Sequence, residues 1–202
     1  MEQNRDPISL IKVGLRKKLK QIRFGLDASC RNKASEAISE AVDKYLNANN
    51  IAAYCPMNNE VDITRYLRGL KNKKLALPVI ENQEMIFREW LLESNLLMNK
   101  WSTLEPDPSV GRVVIPEIII VPMLGFDRKN HRLGYGFGYY DKVLRSYPSA
   151  LSIGIAFSVQ EVENIPSEAH DVALNLIITE KEVIKNADKK FGTENKARLN
   201  KT

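Results

Sequence analysis

Apolar positions along the chain fall into two rhythms. Ile8, Ile11, Leu15, Leu19, Ile22 and Leu26 recur every three or four residues behind Pro7, the stripe of an amphipathic helix entered at a proline. Gly14 weakens that helix by about 1 kcal/mol relative to Ala without breaking the stripe. Ala34, Ile38, Val42 and Leu46 give a second helix, with Asp27 or Ser29 as N-cap and the Asn-rich stretch 47–50 as its end. Shorter runs follow. Residues 51–55 read as a strand stopped by Pro56, 63–70 as a short helix capped by Asp62, 74–80 as a strand whose Pro78 calls for an edge or a bulge, and 85–90 as a further strand. Residues 91–112, with Pro106 and Pro108, read as loop. The continuous apolar run 117–121 suits a central strand covered on both faces, ended by Pro122. A glycine-rich loop leads to a helix over about 138–147, then strands at 151–157 and 174–179.

This alternation predicts an α/β fold: a mainly parallel central sheet flanked by helices, with an N-terminal helical pair. At 202 residues and 44% hydrophobic composition, one domain over 8–184 is expected, followed by a basic, mobile tail over 185–202. No apolar run approaches the roughly 20 residues of a membrane helix, so no membrane partner is expected. The opening MEQNRDP has neither a secretory nor a transit pattern, which makes a cytoplasmic protein the expectation. A monomer is expected as well.

Charge sharpens the picture. The formal net charge is +5, yet residues 8–23 hold six basic side chains and no acidic one, while residues 185–202 hold six basic against two acidic. The stretch between is therefore net acidic, and the contrast points to a local anion site on the first helix. Lys12, Arg16, Lys20 and Arg23 lie within about 80° of one another around that helix at 100° per residue. Cys30 and Cys55 form no CxxC pair and the two histidines lack metal-ligand spacing, which argues against a disulfide or zinc framework.

The densest chemical signal is FDRKNHRLGYGFGYYDKVL, residues 126–144. Gly134, Gly136 and Gly138 alternate just before a helix start, where positive φ and a line of N–H groups can cradle an anion. The spacing is neither that of a Walker loop nor that of a dinucleotide fingerprint. Arg132 precedes the loop, and Asp141 stands in the first turn of the helix, where it can take a cation or favour the helix dipole.

The string R-L-G-x-G-x-G-Y-Y-D resembles the signature of the 5-formyltetrahydrofolate cyclo-ligase family, also called methenyltetrahydrofolate synthetases. Further blocks are similar and in order: Lys12-x-x-Leu15-Arg16 with Arg23, Tyr54-x-Pro56-x-x-x-Glu60-Val61-Asp62, Glu105-Pro106, and Ile153-Gly154-x-Ala156-Phe157-x-x-Gln160 leading to Ile165-Pro166-x-Glu168-x-His170-Asp171. The resemblance implies ATP- and magnesium-dependent closure of 5-formyltetrahydrofolate to 5,10-methenyltetrahydrofolate, with release of ADP and phosphate. By the same resemblance Lys12, Arg16, Arg132, Leu133, Gly134, Tyr135, Gly136, Phe137, Gly138, Tyr139 and Tyr140 serve ATP, with Arg132 stabilising phosphate charge. Glu60, Tyr139, Trp101 and Cys55 line the folate side, with Cys55 as a small apolar wall, and Asp141 and Asn175 are the metal positions. Three positions depart from the pattern: Asn130 stands where a glycine is usual, Tyr135 and Phe137 where some members carry a basic residue, and Asn175 where an Asp is common. His131 reads as a solvated loop histidine, and His170 with Asp171 as the cap of a shared turn.

Two other classes compete. A nucleic-acid-binding protein would use the basic helix and tail, but the rest of the chain is not basic and carries no RNA-binding motif, so no nucleic acid partner is expected. A small-molecule kinase would use the same phosphate cradle on a hydroxylated acceptor.

Overall fold

Asp6 and Asp27 start the two N-terminal helices by accepting backbone N–H groups that have no partner within the helix. In the computed structural model, which describes residues 6–91, 96–99 and 103–189, α1 (Pro7–Phe24) is capped by Asp6 on the Ser9 N–H, with Pro7 in its first turn. Asp27 caps α2 (Ala28–Asp43) through Ser29 and Cys30, at 2.7 and 3.3 Å. Ile63 and not the expected Asp62 stands at the N-cap of α3 (Thr64–Arg68), but Asp62, one residue earlier, still accepts the Thr64 N–H and hydroxyl on its Oδ1.

Between and after these helices run β1 (Asn50–Ala52), β2 (Lys74–Glu81), β3 (Glu84–Glu89), β4 (Leu96–Met98), β5 (Leu104–Pro106), β6 (Ile118–Pro122), β7 (Gly125–Phe126) and β8 (Arg132–Leu133). Then come α4 (Tyr139–Ser146), β9 (Leu151–Ile155), β10 (Leu176–Ile178) and β11 (Val183–Lys185). Seven strands form one sheet in the order β11-β10-β9-β6-β1-β2-β3, parallel except for its two outermost pairings. β6 lies at the centre and residues 118–121 are buried on both faces, as the continuous apolar run requires. Ile118 and Ile120 meet Ile38 and Val42 of α2 and Leu67 of α3, while Ile119 and Val121 meet Val143 and Leu144 of α4. Each such side chain contributes about 1.5–3 kcal/mol by leaving water, so the three-layer stack fixes the strand ends firmly.

Pro78 lies inside β2, which is paired on both sides, and not on a sheet edge. Its missing N–H costs nothing because β1 pairs with β2 only as far as Ala52 opposite Ala76. The antiparallel ladder to β3, in which the Trp90 N–H bonds Leu75 O, turns the Pro78 nitrogen toward that vacated side. The expected loop 91–112 contains the β4–β5 hairpin, whose three-residue strands are too short to show a period. The expected boundary after residue 184 falls within β11. Lys185 pairs with Leu176, Asn186 Nδ2 donates to Leu174 O, and Lys189 Nζ donates to Ala173 O.

The packed face of α1 is rotated from the apolar stripe. Ile11 is exposed, whereas Lys12, Leu19 and Arg23 are buried and Leu15 and Arg16 are partly so. The basic face turns inward because each of its inward cations finds a specific acceptor, as the next section describes.

Candidate active site

The carboxyl ends of β1, β2 and β6 open into a cleft of about 670 Å³, the end of a parallel sheet where ligands bind. Tyr54 and Cys55 follow β1, Pro78 and Ile80 come from β2, and Pro122 closes β6. The opposite wall is the glycine loop with the basic face of α1.

The loop is anchored at its start by Leu133, buried with Leu19, Leu124 and Ile165. Gly136 takes φ +104° and Gly138, which caps α4, takes φ +70°, so both need glycine's freedom. A Cβ at Gly136 would also stand 3.2 Å from the Arg16 guanidinium carbon. Arg16 Nε donates to Gly134 O at 2.9 Å, interlocking α1 with the loop. Behind the loop, Asp127 is buried and accepts the N–H groups of Lys129, His131 and Ile165, with His131 Nδ1 at 3.1 Å from its Oδ2. His131 therefore orders the turn and does not line the cleft. Asn130 sits in the left-handed region at φ +61°, fully buried, its Nδ2 donating to Ile184 O, which is how asparagine serves where glycine would.

Arg132 presents a nearly buried guanidinium to the cleft. It pairs with Asp141 at 2.8 Å and stands 5.6 Å from the Tyr140 ring centre, and its Nε has no hydrogen-bond partner among the described residues. Asp141 also accepts the Val172 N–H. A nearly buried cation beside glycines of positive φ is the kind of arrangement that suits an anion.

Glu60 is 8% exposed, and its Oε2 accepts the Met57 N–H at 3.0 Å. Burial pushes its carboxyl up to about 7, against the opposing pull of the Met57 N–H, Arg23 and Tyr135. Cys55 is half-buried, and burial with the nearby Asp62 charge pushes its thiol up to about 11, so it is protonated at neutral pH and forms a wall of the cleft. Tyr139 and Tyr140 both line the cleft. Tyr140 also packs against the α4 core, whereas Tyr139 stacks at a tilt on the exposed Phe137, 6.2 Å between centres.

Lys12 Nζ lies 2.7 Å from both Glu168 Oε2 and Asp171 Oδ2. Burial works against its charge, but these two partners hold the ammonium above its ordinary range. Burial likewise opposes the charge on Asp171, yet Lys12 and the Glu168 N–H keep its carboxyl below its ordinary range. Glu168, His170 and Asp171 bring ligand atoms within 4.8 Å of one another on the cleft wall.

The sequence model of the 5-formyltetrahydrofolate cyclo-ligase family matches residues 9–180. The chain belongs to the 5-formyltetrahydrofolate cyclo-ligase family. It is therefore a ligase of folate one-carbon metabolism. Among similar proteins, the 5-formyltetrahydrofolate cyclo-ligase of Haemophilus influenzae is 29% identical over 174 residues, covering 79% of this chain and 92% of the relative. The structure of 5,10-methenyltetrahydrofolate synthetase from Aquifex aeolicus superposes with a TM-score of 0.78 at 31% identity, over 89% of this chain and 95% of that one. The Mycoplasma pneumoniae synthetase gives 0.67 at 27% identity, over 84% and 98%.

Most of the residues that the family resemblance singled out meet in this cleft: Lys12, Arg16, Cys55, Glu60, Arg132 to Tyr140, and Asp141. Asn175 does not. It precedes β10 at the amino end of the sheet, and its Oδ1 accepts the Ser152 N–H and hydroxyl at 2.9 and 2.6 Å. Asn175 is thus a structural link between β9 and β10, and the acids that line the cleft with Asp141 include Glu168 and Asp171. Trp101 lies outside the described residues. Lys20 and Arg23, placed on the basic face of α1 by the sequence without a site role, part here: Arg23 is buried, while Lys20 is exposed at the cleft rim.

Proposed function

We propose that the protein catalyses ATP- and magnesium-dependent cyclisation of 5-formyltetrahydrofolate to 5,10-methenyltetrahydrofolate, releasing ADP and phosphate. The observation that carries this reading is a single cleft lined by Arg16, Arg132 and the glycine loop, which suit a triphosphate, and by a buried carboxylate, Glu60, which suits pterin N–H donors.

The chemistry asks little of the protein beyond placement and charge. The formyl oxygen attacks the γ-phosphorus, forming an O–P bond as the bond to ADP breaks. The neighbouring folate amine, N10, then bonds to the activated carbon and loses its proton, and the carbon–oxygen bond breaks to release phosphate. Arg132 is placed to neutralise charge on the transferring group, and Arg16 holds the loop against the phosphates. Glu60 fixes the pterin so that N10 and the formyl carbon stay in reach. No side chain needs to act as nucleophile, in keeping with the protonated Cys55 thiol.

Hard oxygen donors suit magnesium, and Asp141, Glu168 and Asp171 supply them on the wall shared with Lys12 and Arg132. The ion supplies charge neutralisation on the phosphates when bound. A cytoplasmic, monomeric enzyme with small-molecule partners completes the reading.

The direct test follows the chromophoric methenyl product by absorbance after mixing protein, 5-formyltetrahydrofolate, ATP and magnesium. Product should form only with all four present. ATP turnover with a hydroxylated acceptor and none with formylfolate would turn the reading toward a kinase. Glu60→Gln should raise the KM for 5-formyltetrahydrofolate about tenfold or more, equivalent to roughly 1.4 kcal/mol, with ATP affinity unchanged in calorimetry. A defect confined to ATP would move Glu60 to the nucleotide side.

A further inference from the structure

The phenol of Tyr135 leaves the glycine loop and ends beside Glu60. Its oxygen accepts a hydrogen bond from Arg23 Nη2 at 2.6 Å and donates one to Glu60 Oε1 at 3.2 Å. Arg23 comes only within 3.6 Å of that carboxylate, too far for a hydrogen bond, so the phenol spans a gap the guanidinium does not close. Arg23 has no solvent exposure, and Nη1 is fixed on Met123 O at 3.2 Å. The buried cation and carboxylate thus form an ion pair with no hydrogen bond of their own, and the phenol between them supplies one to each.

Other groups face Glu60 from neighbouring elements. Tyr54, beyond β1, spends its hydroxyl on Val61 O at 2.6 Å, and burial together with the Glu60 charge pushes the Tyr140 phenol of α4 up, so that it stays neutral. Lys20 of α1 stands over the Tyr135 ring, 5.4 Å from its centre, and Asn58 Nδ2 reaches the phenol at 3.5 Å. Tyr135 is thus the side chain that joins the glycine loop to this carboxylate.

We propose that Tyr135 is a positioning residue for Glu60, relaying the Arg23 charge to the carboxylate and tying its orientation to the glycine loop. Resting on the reading of Glu60 as the group that holds the pterin, this gives Tyr135 two duties: its backbone belongs to the nucleotide loop and its side chain to the folate side. The relay favours the ionised carboxylate, which burial alone disfavours. Its loss therefore raises the pH below which folate binding fails.

Tyr135→Phe removes one oxygen and keeps the ring against Lys20 and Arg23. Measured against wild type and Glu60→Gln, it should raise the KM for 5-formyltetrahydrofolate about fivefold or more and move the acid limb of kcat/KM upward by about 1 pH unit. The Kd for ATP alone should stay within about twofold. Tyr135→Leu, a second variant without the phenol, should do the same and stands in if the first does not fold. An unchanged acid limb and KM, or a defect in ATP binding alone, overturns the proposal. If that occurs while Glu60→Gln loses folate affinity and flattens the acid limb, the pterin role of Glu60 stands and only the relay is wrong. If Glu60→Gln leaves both unchanged, the pterin role fails and the relay with it.

Discussion

Arg132→Gln should lower kcat by about 10²–10³ with far less effect on the KM for 5-formyltetrahydrofolate, the loss expected when a preorganised donor to transition-state charge is removed. The expectation comes from the state of the guanidinium. Its side chain is 5% exposed, so its charge acts in a poorly screened site, and its Nε is unpaired among the described residues. Glutamine keeps a donor but loses the charge that developing phosphate negativity needs. Arg16→Gln is the instructive contrast. Its contact to Gly134 O ties down the loop from outside, so its main effect should be weaker ATP binding, by about tenfold, with a smaller loss in kcat. The fold should survive Arg132→Gln, since Asp141 retains the Val172 N–H and Leu133 retains its buried anchor, and thermal melts check this. Equal kcat in Arg132→Gln and wild type would remove Arg132 from the chemistry.

The helices and the central strand were readable because the forces that set them are local or periodic. Asp27 before an apolar stripe, Pro7 at a helix start and the uninterrupted run ending in Pro122 each leave a signal within a few residues. What the sequence concealed is long-range. β4, β5 and β11 are three residues each, and their pairing is fixed by partners rather than by their own pattern. The stripe on α1 misled for a related reason: Lys12, Arg16 and Arg23 face inward because Glu168, Asp171, Gly134 O, Met123 O and Tyr135 lie more than 90 residues away to receive them. Hydrophobic periodicity assumes that charge goes to water, and an anion-binding cleft is where that assumption fails.

The metal side shows the same limit. A position-by-position likeness put Asn175 beside Asp141, but strand register carries Asn175 to the amino end of β10, where Ser152 occupies its oxygen. The residues left on the cleft wall were read as a turn cap, and they do cap that turn, since Asp171 accepts the Glu168 N–H at 2.9 Å. That role leaves room for another, because a carboxylate has lone pairs beyond those the turn uses.

Asp171→Asn should therefore raise the magnesium concentration for half-maximal rate by roughly 10–100-fold, the range seen even when a partner of a metal ligand is lost. Two charges count here. The aspartate contributes one of the few negative oxygens on the wall, and it also holds the Lys12 ammonium at 2.7 Å. An asparagine keeps an oxygen for the turn and for Lys12 but removes the charge, so the ion loses attraction while the helix contact is weakened rather than abolished. Glu168, also at 2.7 Å, would then be the one charged partner left to Lys12 among the described residues. Calorimetry of ATP binding at fixed magnesium separates the two effects. Loss of a metal ligand should weaken ATP binding in the presence of magnesium and leave metal-free ATP binding unchanged. A loosened Lys12 should alter both. Asn175→Ala, far from the cleft, should leave the magnesium requirement at the wild-type value, and a rise there comparable to that in Asp171→Asn would return the metal to the β10 side.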